Sequence, residues 1–148
     1  MAIVTSSRER MLEAAIDVIE TAGEAGVRVD VVADAAGVTK PSLYHFFKNR
    51  DGLIIAAQAE RYRRSLLYSL PSVSEMVRAC RSRDEFVMLL GNLIRSFGLE
   101  DGKRRRRVRI QVLGSATSRP TLRAEIEAVE REAARQFESV FAIAQERG

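Results

Sequence analysis

A glycine and a proline, Gly37 and Pro41, lie between two short apolar stretches and restrict what this part of the chain can form. Glycine adopts the left-handed backbone that ends a helix without strain. Proline is tolerated in a helix only within the first turn, so Pro41 marks where a helix begins. The segment VVADAAGVTKPSLYHFF (31–47) therefore predicts a helix at about 29–36, a tight turn, and a second helix at about 40–47.

The second helix has two different faces. Leu43, Phe46 and Phe47 recur at helical spacing and are predicted to point inward. The N-terminal cap is either Thr39 or Lys40, because a residue before proline avoids helical dihedrals. The remaining residues are predicted to lie outward: Thr39, Lys40, Pro41, Ser42, Tyr44, His45 and Lys48.

This outward face is typical of a DNA-binding surface. Lysines neutralise phosphates, and hydroxyl and imidazole groups donate to phosphates or base edges. The second helix of such a pair places its N-terminal residues in the major groove, and its first turn offers N–H groups to a phosphate. Two alternatives stay open: a helix pair without a DNA role, and a half-buried Tyr44. Catalysis by His45 is disfavoured, because no nucleophile arrangement or metal-ligand spacing accompanies it.

Helical periodicity continues through the rest of the chain, which predicts an all-α fold. Capping boxes at Ser6 and Ser82 each begin a helix, and Asn49 is predicted to cap a long fourth helix that includes Leu70. Gly98–Gly102 is predicted to be a loop. The segment 107–116 alternates like a strand but is predicted to be helical, because no partner strand exists. Two stripes are predicted to be buried: Phe86, Leu90, Leu93 and Phe97, then Leu122, Ile126, Val129, Ala133, Phe137, Val140 and Phe141.

Composition indicates a soluble cytoplasmic protein without a cofactor. The chain has 148 residues, of which 46% are apolar, enough for a core. Cys80 is the only cysteine, which excludes an internal disulfide. Neither a transmembrane segment nor a secretory signal is expected, so no membrane partner is predicted.

Positive charge is distributed unevenly. The net charge is +4, yet residues 1–52 hold six Lys or Arg against eight Asp or Glu, a net of −2. The surplus is concentrated in KRRRRVR, Lys103–Arg109. The run Lys103–Arg107 is either a second DNA contact or a solvated loop and helix start balanced by nearby acids.

The stretch AAGVTKPSLYHFFKNRDGLI resembles the signature of TetR-family transcriptional regulators, strongly over 8–57 and only in architecture beyond. The resemblance implies a homodimeric all-helical repressor that binds double-stranded operator DNA, with a helix-turn-helix domain at 1–48 and a helical effector-binding and dimerisation domain at 49–148. It places Thr39, Lys40, Pro41, Ser42, Tyr44 and His45 on the DNA-facing recognition helix, and Lys48 on a phosphate.

Two departures from the family pattern concern the cap and the length. Val27 and Arg28 stand where the family usually has Thr or Ser, so the cap of the first short helix is in doubt, although Arg28 can reach a phosphate. Two further helices usually follow the last one here. The chain is therefore expected to be truncated, to dimerise differently, or not to dimerise.

The sequence does not identify the effector, but it suggests residues that could contact one. Asn92, Gln111 and Ser115 are candidates for fixing a small molecule, and Phe97, Phe137 and Phe141 for lining its pocket; plain core or surface roles are the alternative. The function predicted is a ligand-responsive repressor. A helical protein-interaction module without DNA binding is the second hypothesis, and an enzyme is not expected because no catalytic constellation is present.

Overall fold

The computed structural model describes residues 6–68 and 70–145, and the described residues are helical with no β-strand. This confirms the predicted all-α fold. The elements are α1 (Ser7–Ala22), a 3-10 turn (Glu24–Gly26), α2 (Val29–Ala36), α3 (Lys40–Phe47), α4 (Arg50–Leu67), α5 (Leu70–Ala79), α6 (Arg83–Ser96), α7 (Glu100–Ala116) and α8 (Pro120–Gln145). Leu70, expected in the fourth helix, belongs to α5.

Two compact units divide the chain within α4, at Met1–Glu60 and Arg61–Gly148. The sequence placed the boundary at 48/49, where α3 ends. The first unit continues into α4 because Leu53, Ile54 and Ala57 are fully buried in its core. Whether the DNA-binding function itself ends at residue 48 stays a prediction.

The first unit is a three-helix head closed by the start of α4. Ser6 caps α1 through a reciprocal capping box with Glu9, and Gly23 ends the helix with a φ of 69°. The buried apolar residues come from every element: Met11, Leu12, Ala14, Ala15, Ile16, Ile19, Val27, Val32, Ala33, Ala36, Leu43, Phe47, Leu53, Ile54 and Ala57. Burying side chains of this size is the main source of the unit's stability.

The second unit buries only part of its predicted stripes. Leu122, Ile126, Val129, Ala133 and Val140 of α8 are buried as expected. Phe137 and Phe141 are exposed by 42% and 59%, so their predicted burial is wrong.

The stripe on α6 is also a wrong prediction. The helix buries no residue. Leu90 and Phe97 are 37% and 55% exposed, and Phe86 and Leu93 are half-buried. A helical period identifies an apolar face but does not say whether another element covers it.

The helix α7 starts earlier than the sequence indicated. Glu100 begins it, so the predicted loop at Gly98–Gly102 is too long by three residues. Glu100 and Asp101 occupy the first turn, where acids offset the unfavourable dipole interaction of the cations that follow. The predicted helix at 107–116 is confirmed.

A polar network joins α4, α7 and α8 inside the second unit. The Tyr62 hydroxyl donates to Glu130 Oε1 at 2.7 Å. Arg109 Nη1 donates to the Ser65 carbonyl oxygen at 2.9 Å. Burial, and then the hydrogen bond to Glu130, raise the pKa of Tyr62 to about 12.

This raised pKa predicts a loss of stability at high pH. An ordinary tyrosine has a pKa near ~10, so the unfolded chain releases the Tyr62 proton before the folded chain does. Its contribution is fully present below about pH 10 and is lost as the pH rises towards 12. Tyr62→Phe should therefore show a shallower decline than wild type between these values in urea unfolding followed by circular dichroism. Tyr68→Phe, at a 73% exposed position, is the control; equal declines for wild type and Tyr62→Phe would contradict the prediction.

Candidate nucleic-acid interface

The turn between α2 and α3 forms as the glycine and proline predicted. Gly37 ends α2 in the left-handed conformation, with φ 64° and ψ 42°. Its N–H donates to the Asp34 carbonyl oxygen at 3.1 Å, and the Val38 N–H donates to the Ala33 carbonyl oxygen at 3.0 Å. These bonds satisfy carbonyls at the helix end and turn the chain sharply towards α3.

Thr39, and not Lys40, caps α3. The Thr39 hydroxyl accepts a hydrogen bond from the Ser42 N–H at 3.3 Å. Lys40 is the first helical residue, and Pro41 lies in the first turn, where its missing N–H costs nothing. The cap satisfies one backbone N–H at the start of α3 and fixes where the helix begins.

The exposed side of α3 carries the predicted DNA-binding residues. Leu43 and Phe47 face the core and are 0% and 5% exposed. The outward residues, called here the recognition face, are Thr39, Lys40, Pro41, Tyr44, His45 and Lys48, all exposed. Tyr44 is 47% exposed, so the half-buried alternative is not favoured. Ser42 is half-buried at the margin.

Phe46 does not join the core as predicted. It is 43% exposed, and its ring lies edge-on to the His45 ring with centroids 5.3 Å apart. Leu43 and Phe47, four residues apart, already fill the buried side. Phe46 is therefore an apolar residue beside the recognition face, a position that its spacing from Leu43 did not reveal.

A tight reversal at Lys48 joins α3 to α4. Lys48 has a φ of 63° and a ψ of −48°. The Asn49 N–H donates to the Phe47 carbonyl oxygen at 2.7 Å, which is the three-residue bond of a γ-turn. The Asn49 side chain then caps α4 by accepting from the Gly52 N–H at 2.7 Å. Lys48 is thus held in a conformation that is rare for a residue with a side chain.

Gly52 is required by this close approach. A Cβ built at Gly52 would collide with the Phe47 carbonyl oxygen. The carbonyl is main chain and cannot rotate away independently, so α3 and α4 reach their separation only with glycine at this position.

Three of the head's arginines bind the head itself. Arg50 Nε donates to the Val27 carbonyl oxygen at 2.6 Å and its Nη2 to that of Glu24 at 2.7 Å. Arg10 Nε donates to the Ala36 carbonyl oxygen at 3.0 Å. The Arg8 guanidinium lies over the Phe47 ring, 5.6 Å from its centroid. The sequence shows these residues only as charges, because their acceptors are mainly backbone carbonyls distant in the chain.

Arg28 precedes α2 and is exposed. It provides no side-chain cap, as its departure from the family pattern predicted. Its Nη2 lies 3.0 Å from Asp30 Oδ2, and this hydrogen bond holds the pKa of Asp30 below its usual value. An exposed pair of this kind contributes little to stability, so Asp30 can yield Arg28 to a phosphate. That contact stays a prediction.

The six candidate effector residues do not converge on the groove found in the second unit. Asn92 accepts from Arg95 at 2.6 Å, and Gln111 accepts from Arg61 at 3.1 Å. Ser115 accepts from Arg119 at 2.5 Å. Phe97, Phe137 and Phe141 are all exposed. A groove of about 370 Å³ has other lining residues: Pro71, Ser74, Glu132, Arg135, Gln136 and Ser139.

Comparison with protein families finds a match for the head. Residues 11–57 match the family described as bacterial regulatory proteins, tetR family. The match spans 47 of the 148 residues, so the similarity to that family is carried by the head. This match supports a DNA-binding transcription regulator, and the matched residues run from α1 into α4. No curated protein resembles the chain closely enough to count as a relative.

Two other features bear on the kind of site present. Across residues 6–68 and 70–145, no group of three or more His, Cys, Asp and Glu side chains could hold a metal ion. Within the same residues, no helix is long and apolar enough to span a bilayer.

Proposed function

We propose that this protein is a ligand-responsive TetR-family repressor that binds a palindromic operator as a homodimer. The observation that carries the proposal is the recognition face. Its hydroxyl, imidazole and ammonium groups are exposed on the side of α3 opposite Leu43 and Phe47. A helix presenting such donors is suited to the major groove, where donors and acceptors distinguish base pairs.

Each part of the recognition face has a proposed role. Lys40 and Pro41 begin α3 and enter the groove first, with Tyr44 and His45 one turn further along. Lys48 leaves the helix at the γ-turn and neutralises a backbone phosphate. Ser42, at the margin of the face, and Arg28, which precedes α2, contact sugar or phosphate and fix the orientation.

Effector control follows from dimer geometry. Half-sites lie about 34–36 Å apart, so two recognition helices must keep that separation to bind together. A small apolar or amphipathic effector in the second unit would favour a different separation and weaken binding. Asn92, Phe97, Gln111, Ser115, Phe137 and Phe141 remain the proposed contacts of that effector.

Gel shifts with duplexes from the chain's own upstream region test operator binding. Tyr44→Ala and Lys48→Gly should each weaken binding about tenfold, since a lost phosphate or base contact costs ~1–3 kcal/mol. Glycine is chosen at Lys48 because φ 63° suits it, so the charge is removed without straining the fold.

Asp17→Asn, on the exposed side of α1, is the matched control and should change affinity less than twofold. Wild-type protein that binds no palindromic duplex at physiological salt and low micromolar concentration would refute the proposal. Full affinity in both Tyr44→Ala and Lys48→Gly would refute the assignment of the face.

A second function is favoured by the apolar surface of α6. Met88, Ile94 and Phe97 are 64%, 68% and 55% exposed, more than a solvated helix usually presents. A helical interaction module would use this surface for a protein partner and would not need the recognition face. Sedimentation that shows tight self-association, together with no DNA affinity, would favour this alternative.

A further inference from the structure

The positive charge of this chain lies outside the DNA-binding head. Residues 100–109 hold six Lys or Arg and two Asp or Glu, a net of +4 that equals the net charge of the whole chain. The head and its continuation, 1–52, carry a net of −2. Sequence-independent attraction to DNA depends on phosphates neutralised by cations, so the head is poorly equipped for it.

The contacts within the head strengthen this point. Arg10 and Arg50 bind backbone carbonyl oxygens, and Arg8 stacks on Phe47. Arg28 shares its charge with Asp30. Lys40 and Lys48 are the cations that the recognition face presents. Two lysines give a shallow salt dependence, because each neutralised phosphate contributes a slope of only about −0.9.

On α7 the cations separate into two groups. Arg105 and Arg109 lie on the half-buried side, where Arg105 stacks over Tyr68 at 6.0 Å and Arg109 binds the Ser65 carbonyl oxygen. The other four, Lys103, Arg104, Arg106 and Arg107, are exposed. The stacked pair and the carbonyl contact anchor α7 within its unit.

The exposed group is compact and has few acids among it. Lys103 and Arg107 are four residues apart, about 6 Å along the helix, which brings their charges onto one face. Lys103 pairs with Glu100 at 2.7 Å, an exposed i,i+3 pair that a phosphate can displace. Arg106 donates one N–H to the Phe97 carbonyl oxygen, and its guanidinium has four further N–H donors.

We propose that Lys103, Arg104, Arg106 and Arg107 form a second, sequence-independent phosphate-binding surface for duplex DNA, on the unit that does not carry the helix-turn-helix. The recognition face selects the sequence, whereas this cationic face of α7 supplies most of the counterion release and the affinity for arbitrary DNA. The inference rests on DNA binding by the chain, and not on repression, an effector or a palindrome.

The test is the salt dependence of binding to a 30-base-pair duplex of arbitrary sequence, measured by fluorescence anisotropy from about 50 to 200 mM KCl. The variant is Lys103→Gln/Arg104→Gln/Arg107→Gln, which keeps Arg105 and Arg106 in their contacts. Removing cations near a helix N-terminus does not weaken the helix, so folding should be retained. The slope of log K against log salt should become shallower by about two to three, since three cations are removed, and affinity at low salt should fall at least tenfold.

A matched control removes equal charge elsewhere in the second unit: Arg81→Gln/Arg83→Gln/Arg131→Gln, at exposed positions. Its slope should change by less than half a unit. Tyr44→Ala should lose operator preference while keeping the wild-type slope on arbitrary DNA. These two results separate the α7 surface from general charge and from the recognition face.

The outcomes distinguish this surface from the proposed repressor function. If wild type binds arbitrary DNA and the α7 variant keeps its slope, or the control variant loses as much, the α7 surface is refuted and the repressor function is not. If wild type binds no operator but still binds arbitrary DNA with a salt slope that depends on α7, only the proposed repressor function is refuted. No binding of wild type to any duplex refutes both. If the α7 variant binds phosphatidylserine vesicles more weakly than wild type but binds DNA equally well, the surface binds lipid and the inference is overturned.

Discussion

Gly52→Ala is expected to destabilise the helix-turn-helix unit by about 2 kcal/mol and to abolish tight DNA binding. This change in stability is opposite to the usual one, since replacing glycine by alanine inside a helix normally stabilises a protein by ~1 kcal/mol. The reversal is expected because the new Cβ would collide with the Phe47 carbonyl oxygen. Relief requires α4 to move away from α3, and that movement strains the turn in which the Asn49 N–H donates to the Phe47 carbonyl oxygen.

Gly114→Ala is the matched control for Gly52→Ala. Gly114 lies within α7, and nothing stands within 4 Å of the position its Cβ would take. That variant should be neutral or slightly more stable. Amide hydrogen exchange resolves the two units, and the expected loss of protection is confined to α3 and the start of α4. If the amides of α3 and the start of α4 keep their protection in Gly52→Ala, the two helices accommodate the new Cβ without loss of stability.

The turn of this head could be predicted from sequence because its determinants are local. Gly37 and Pro41 have backbone requirements that do not depend on distant partners. Thr39 and Lys40 could not be separated as caps, since each satisfied one local rule. The hydrogen bond from the Ser42 backbone N–H to the Thr39 hydroxyl decides between them, and it is seen only in the folded structure.

The wrong predictions of burial share a different cause: no second element packs against the apolar side of the helix. Phe46 and Phe97 have the spacing of buried residues, but both are largely exposed. Periodicity reports the side of a helix on which a residue lies, whereas burial requires a second element against that side. Arg50 is the converse case: in the sequence it enters only the net charge of residues 1–52, and in the structure it binds backbone carbonyl oxygens more than twenty positions away.

Arg50→Met is expected to lower the stability of the head by about 1–2 kcal/mol and to weaken DNA binding without removing a DNA contact. The guanidinium bridges the Val27 and Glu24 carbonyl oxygens, at 2.6 and 2.7 Å, and so ties the start of α4 to the turn before α2. Methionine keeps the length and apolar stem but donates nothing. Arg50→Lys should recover only part of the loss, because an ammonium lacks the planar fork that reaches two carbonyls.

Comparing Arg28→Met with Arg50→Met distinguishes an arginine that contacts DNA from one that only holds the head together. Arg28 is also exposed and cationic, and its exposed pair with Asp30 contributes little to stability. Arg28→Met should therefore keep its urea midpoint and lose affinity with a shallower salt slope. Arg50→Met should lower the midpoint and leave the salt slope unchanged, because no phosphate contact is removed. A salt slope that falls in Arg50→Met would mean that Arg50 contacts DNA directly, and the bridge to Val27 and Glu24 would then not be its main function.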